Sequence, residues 1–211
     1  LNLIDEIKLS LKNYQNYEIV LVDDKSTDET LKIIGEIKDH NIKIITNNEN
    51  KGQSFSIHLG ISQSLNKTII TLDGDGQNDP ADIPKLLEYY SENNNIKLVG
   101  GIRIKRKDNL IKIISSKIAN FIRSRILRDG CPDTGCSLKV FNKSIFLLFP
   151  YFDGIHRFLP ALFKGYGYST KFIYVNHRKR KYGNSKYGTL NRLFKGIRDM
   201  FKVKKIIKQK N

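Results

Sequence analysis

Short apolar, β-branched runs alternate with helically spaced stretches through the first half of this chain, and the first and third runs stop at acidic residues. Glu18-Ile19-Val20-Leu21-Val22 ends in Asp23-Asp24. Ser26-Thr27-Asp28-Glu29 then offers a cap and an acidic first turn to a helix carrying Leu31, Ile33, Ile34 and Ile37. A second strand is predicted over 42–45 and, after Asn50-Lys51-Gly52, a helix with Phe55, Ile57, Leu59 and Ile61. A third strand over 68–72 stops at Asp73; Pro80 opens a helix with Ile83, Leu86, Leu87 and Tyr90, and 96–99 is a fourth strand. This order predicts an α/β fold whose mostly parallel central sheet is covered by helices on both faces. Ligands of such sheets sit beyond the carboxyl ends of the strands, which is where Asp23-Asp24 and Asp73-Gly74-Asp75 fall.

The second half is less regular. A long basic amphipathic helix is predicted over 110–127, with Ile113, Ile114, Ile118, Phe121, Ile122 and Ile126 on its apolar side. A loop comes next over 130–135, then a strand over 137–141, a helix over 155–163, a strand over 172–175, a basic loop over 177–187 and a basic helix from residue 190. No internal repeat or low-complexity linker divides the 211 residues, and 39% hydrophobic residues suffice for a core, so one domain over 1–211 is expected.

The formal charge of +16 is unevenly placed: residues 1–100 hold 10 Lys and Arg against 16 Asp and Glu, and residues 101–211 hold 27 against 5. An acidic half joined to a strongly basic one implies an anionic partner, whether nucleic acid, an anionic membrane or a small phosphorylated substrate. Cys131 and Cys136 are too few for a disulfide scaffold or a structural zinc site, so a reduced, cytoplasmic protein is expected. His156 and His177 lack metal-ligand spacing, and no run approaches the roughly 18 apolar residues of a membrane span. Neither a GxxxxGK[ST] loop nor a GxGxxG turn occurs, which disfavours ordinary ATPase and dinucleotide chemistry.

Asp73-Gly74-Asp75 is the most informative short motif. In extended chain, side chains two apart project to the same side, so both carboxylates can face one cation while Gly74 admits close backbone approach. Hard oxygen ligands suit Mg²⁺ or Mn²⁺, which complete their shells with phosphate oxygens and water. The implied ligand is a diphosphate, weighed against the bland alternative of a solvated acidic turn. Gln77 reads either as a third member of that face or as a turn residue, and Asp23-Asp24 as acceptors for ribose or base groups or as part of a helix start.

The ordered set Val22-Asp23-Asp24-Lys25-Ser26-Thr27-Asp28-Glu29-Thr30, Asn50-Lys51-Gly52-Gln53-Ser54 and Leu72-Asp73-Gly74-Asp75-Gly76-Gln77-Asn78-Asp79-Pro80 resembles the GT-A fold of family-2 inverting glycosyltransferases. Gly101-Ile102-Arg103, Asp133-Thr134-Gly135-Cys136-Ser137-Leu138-Lys139, His156-Arg157-Phe158-Leu159-Pro160-Ala161-Leu162, His177-Arg178-Lys179-Arg180 and Gly183-Asn184-Ser185-Lys186-Tyr187-Gly188 resemble the dolichol-phosphate mannosyltransferase-like, polyprenyl-phosphate branch.

The resemblance implies that Asp24, with Asp23 and Lys51, meets the nucleotide, and that Asp73, Asp75 and Gln77 hold the divalent metal, Mg²⁺ or Mn²⁺, and the donor diphosphate. Arg103, Arg178, Arg180, Ser185 and Lys186 would meet phosphate, and Asp75, Arg103 and Asp133 would form the catalytic group. Asp133 reads equally as a base or as a loop residue fixing amides beside Gly135. The implied reaction moves a mannose- or glucose-like hexose from a GDP- or UDP-sugar to dolichyl or undecaprenyl phosphate with inversion. In that reading residues 1–100 bind nucleotide and metal, 101–189 take the acceptor, and 190–211 form a basic amphipathic helix at the cytosolic face of an anionic membrane, with room for an integral membrane partner and no nucleic acid. Transfer to a glycan hydroxyl, or a non-catalytic basic binding protein, are the alternatives. Relatives open with an apolar strand and a Pro-x-Tyr-Asn-Glu-like turn; here residues 1–11 already read as the helix after it, so a sheet short of its first strand is expected.

Overall fold

The structure, a computed structural model, describes residues 2–104, 121–179 and 189–210. It opens with helix α1 (Asn2–Ser10), as expected. Strands β1 (Ile19–Asp23) and β2 (Ile42–Thr46) pair in parallel around the short helix α2 (Thr30–Gly35), none of whose residues is buried. Helix α3 (Gln53–Gln63) packs on β1, and its approach depends on Gly60: a Cβ there would stand 2.9 Å from Val22 Cγ2.

A second sheet holds β3 (Thr68–Thr71), β4 (Ile96–Arg103), β5 (Lys139–Asn142) and β6 (Ser169–Val175) in the order β3-β5-β4-β6. β4 and β6 are parallel, while β5 runs antiparallel to both β3 and β4. A 3₁₀ turn at Pro80–Asp82 and helix α4 (Ile83–Glu92) lie between β3 and β4. Alternation along the strands divides the core between the two faces. Val99, Leu138, Val140 and Val175 pack with Leu86 of α4 on one side. Leu98 and Phe141 pack on the other with α5 (Lys143–Phe146) and α6 (Leu159–Gly165). Helices therefore cover both faces, as the apolar pattern of the strands demands.

Helix α7 (Thr189–Lys210) closes the fold. Its apolar face is docked on the protein: Val203 is fully buried, and Met200, Ile206 and Ile207 join the α6 side of the core. Asp199 pairs with Arg157 at 2.9 Å and Lys195 with Asp153. The helix expected at a membrane surface thus has its apolar face covered by the protein. Of the helix predicted over 110–127, residues 121–127 are helical and the rest lies outside the described residues.

β1 and β3 belong to different sheets, and they line opposite sides of a cleft of about 990 Å³. No backbone pairing joins β1 to β3 among the described residues. β1 ends in Asp23 and Asp73 follows β3 by two residues, and both Asp24 and Asp73 line the cleft.

Candidate active site

Asp24 is built into the cleft by the loop after β2. Its Oδ1 accepts from Asn47 Nδ2 and from the Lys51 N–H, and its Oδ2 accepts from the Gly52 N–H, each at 2.8 Å. Gly52 makes this possible with φ +84°, a backbone conformation open to glycine and strained for other residues. Burial alone would raise the Asp24 carboxyl, but these hydrogen bonds outweigh it and hold the group below its ordinary range. Asp23, by contrast, is buried and accepts the Ser26 N–H at 3.1 Å, so it shapes the turn and leaves the cleft to its neighbour. Asp28, not Ser26, holds the start of α2, accepting the Thr30 N–H at 3.0 Å. Lys51 contributes its N–H to Asp24, while its ammonium lies 3.3 Å from Glu49 and over the Phe55 ring.

Asp73 lines the same cleft. Its Oδ1 accepts from Gln53 Nε2 at 2.8 Å, and its N–H donates to Ser137 Oγ at 3.2 Å. Burial pushes its carboxyl above the ordinary range, and the Asp75 charge adds to that. Asp75 accepts the Gln77 N–H at 3.0 Å, and the Gln77 amide approaches His177 Nε2 at 3.5 Å. Among the described residues no three His, Cys, Asp or Glu side chains converge on a metal-sized site. Two hard carboxylates, one of them destabilised by burial and by its neighbour's charge, nevertheless fit Mg²⁺ or Mn²⁺, which would take its other ligands from phosphate and water.

Arg103, at the end of β4, is clamped by Asp133: Nε donates to Oδ2 and Nη2 to Oδ1, both at 2.8 Å. The Arg103 N–H adds a third contact at 3.2 Å. Gly135 gives the guanidinium passage, since a Cβ there would lie 2.6 Å from Nη2. Asp133 thus orients Arg103 in this structure. Arg103 also acts electrostatically on Asp73.

Arg178 does not reach the cleft. It is held between Glu6 of α1 and Asp79, the latter at 2.6 Å, and its N–H donates to the Gln77 carbonyl. Its expected contact with an acceptor phosphate gives way to a tie joining α1, the turn after the acidic motif and the segment after β6. Arg180, Ser185 and Lys186 lie outside the described residues. Cys131 and Cys136 are free and buried, with burial raising both thiols, Cys131 to about 11. Neither is a reactive thiolate.

Gln53, Lys139 and His156 also line the cleft and were not among the expected site residues. His156 Nδ1 is 2.8 Å from Ser54 Oγ, which in turn accepts the Gly154 N–H at 2.7 Å. Burial, with the Arg157 and Lys139 cations adding to it, pushes the imidazole down to about 3. The native state therefore keeps the ring neutral between that value and about 6.5, where the unfolded chain takes up a proton. The stability it contributes is full above pH ~6.5 and declines as pH falls toward 3, by at most about 1.4 kcal/mol per pH unit. His156→Gln is expected to flatten this acid limb in urea unfolding measured from pH 7 to 4; an unaltered slope would assign it to other groups.

The description Glycosyl transferase family 2 matches residues 1–148. The chain is 35% identical over 209 residues to dodecaprenyl-phosphate galacturonate synthase of Rhizobium johnstonii, covering 95% of this chain and 61% of the relative. It is 33% identical over 178 residues to undecaprenyl-phosphate 4-deoxy-4-formamido-L-arabinose transferase of Pectobacterium carotovorum, covering 82% and 54%. The chain thus spans little more than half the length of these relatives. Among solved structures, it superposes with TM-score 0.68 on glucosyl-3-phosphoglycerate synthase from Mycobacterium tuberculosis in complex with Mn²⁺, UDP and phosphoglyceric acid, at 13% identity, covering 95% of this chain and 70% of that one. Mannosyl-3-phosphoglycerate synthase from Rubrobacter xylanophilus gives 0.68 at 13% identity, covering 96% and 68%. The shared fold is GT-A, with Asp24 and the Asp73–Asp75 pair at the carboxyl ends of β1 and β3. On the match over residues 1–148, the chain belongs to glycosyltransferase family 2.

Proposed function

We propose that this chain catalyses transfer of a sugar from a nucleoside-diphosphate donor to a polyprenyl phosphate, with inversion at the sugar carbon. The observation that carries the reading is the cleft that brings Asp24 and Asp73 together, with Arg103, clamped by Asp133, near enough to act electrostatically on Asp73. Both relatives named above carry a polyprenyl phosphate in their names, which supports the acceptor.

In this reading Asp24 and its loop face the nucleoside, and Asp73 and Asp75 hold a divalent cation. That ion, when bound, neutralises charge gathering on the departing diphosphate. Arg103, kept in orientation by Asp133, holds an acceptor phosphate oxygen in line with the sugar carbon. A new carbon–oxygen bond forms there as the bond to the diphosphate breaks, and the electron pair leaves on the diphosphate oxygen. A phosphate monoester is already an anionic nucleophile, so no base is required. Occupation of both Asp133 oxygens by Arg103 favours this acceptor over a glycan hydroxyl, which would need one.

No helix among the described residues is long and apolar enough to cross a membrane. Peripheral contact with an anionic surface is supported by the outward face of α7, where Ile197 and Phe201 are exposed in line with Lys204, Lys205 and Lys208. Incubating the protein with Mn²⁺, a panel of labelled UDP- and GDP-sugars and a short polyprenyl phosphate is expected to give a lipid-linked sugar, and the corresponding polyprenyl alcohol is expected to give none. Absence of product with every donor, or equal product with the alcohol, would overturn the proposal.

A further inference from the structure

Lys139 is a buried cation for which the reaction as described has no task. It sits on β5 between Leu138 and Val140, is 4% exposed, and is paired in register with Thr71 of β3 and Gly100 of β4. Its ammonium donates to the Cys136 carbonyl. An ammonium carries three donors, and taking such a charge out of water is unfavourable unless it is matched by an opposite one. No carboxylate forms an ion pair with it among the described residues.

Strand alternation puts Lys139 on the same side of the chain as Ser137, whose hydroxyl receives the Asp73 N–H. Both residues line the cleft beside Asp73 and His156, and Lys139 acts electrostatically on each of those two. His156 has Nδ1 engaged with Ser54, which turns the other ring nitrogen away from that contact. A buried ammonium and an imidazole thus line the same cleft as Asp73, the ammonium on the strand that lies between β3 and β4.

We propose that Lys139, with His156 beside it, forms an anion subsite for the donor itself, receiving an oxygen of its diphosphate or a carboxylate on its sugar. This rests on the glycosyltransferase reading above. The subsite would set which donors bind: a diphosphate contact strengthens every nucleotide-sugar alike, whereas a carboxylate contact selects acidic sugars.

The test compares wild type, Lys139→Met and Lys139→Arg by calorimetric titration in Mn²⁺ with UDP, GDP, UDP-glucose and UDP-glucuronate. Loss of a charge-assisted contact is expected to weaken binding by about ten- to a hundredfold in Lys139→Met, with Lys139→Arg retaining most of the affinity. Weakening that extends to the free nucleoside diphosphate assigns the anion to the diphosphate. Weakening confined to UDP-glucuronate assigns it to the sugar carboxylate. Thermal melts separate a binding role from a structural one: an apolar chain of similar length is expected to leave the melting point unchanged or raised, since a buried cation is removed. Unaltered affinity in Lys139→Met, or a lower melting point with unaltered affinity in Lys139→Arg, would overturn the subsite alone. Failure of wild type to bind any nucleotide would overturn the glycosyltransferase reading and the subsite with it.

Discussion

Asp73→Asn is expected to reduce lipid-linked product about 10³-fold while making the metal-free protein more stable. The two effects have one origin. Burial and the Asp75 charge raise the Asp73 carboxyl in the folded state. A carboxyl raised above its unfolded value destabilises the native state once pH exceeds that unfolded value, and the full penalty is present above the raised one. Asn keeps an oxygen for Gln53 Nε2 and removes the charge, so melting in EDTA at neutral pH should shift upward. The same substitution removes a ligand from the cation proposed to neutralise the diphosphate, a contribution of several kcal/mol to the transition state. Wild type should gain stability from Mn²⁺ and Asp73→Asn should not. A variant that melts lower than wild type in EDTA and still forms product would show that Asp73 is a structural hydrogen-bond partner only.

Arg103→Met is expected to lower the rate about 10²- to 10³-fold, the range found when one preorganised charge stabiliser is removed. It also strands the Asp133 carboxylate, which is buried, and breaking a buried pair by removing one partner destabilises by about 3–5 kcal/mol. A double variant separates the losses. Arg103→Met with Asp133→Leu should recover most of the stability and none of the activity. Arg103→Lys keeps a positive charge but not the planar fork, so it should fall between Arg and Met in rate. Product formation and chemical unfolding measured on the same four proteins check this, and near-normal turnover by the stable double variant would remove Arg103 from the reaction.

Strands β1 to β4 are readable from sequence because each is a run of β-branched or aliphatic residues bounded by polar turns, a pattern that burial on both faces imposes. The acidic motifs are readable for the related reason that they stand where such runs stop. Contacts made by long-range pairing leave no such local trace. Nothing near Asp133 announces Arg103, 30 residues earlier, as the group that occupies both its oxygens. Arg178 belongs to a basic run, yet it is claimed by Glu6, 172 residues away. α7 shows an apolar stripe in sequence, but a stripe does not say whether a membrane or α6 will cover it. Lys139 did leave a signal: a charged residue interrupting an apolar strand is either an edge position or a functional one, and β5 lies between two other strands.

Asp24 and Asp73 stand at the ends of strands in different sheets among the described residues. Asp24 rides on a two-stranded sheet with an unburied helix, joined to the four-stranded sheet through α3 and side-chain packing and not through a backbone ladder. Asp73 follows a strand of the other sheet. A ligand that touches both carboxyl ends would therefore bridge two sheets, and part of its binding free energy would go into holding their placement.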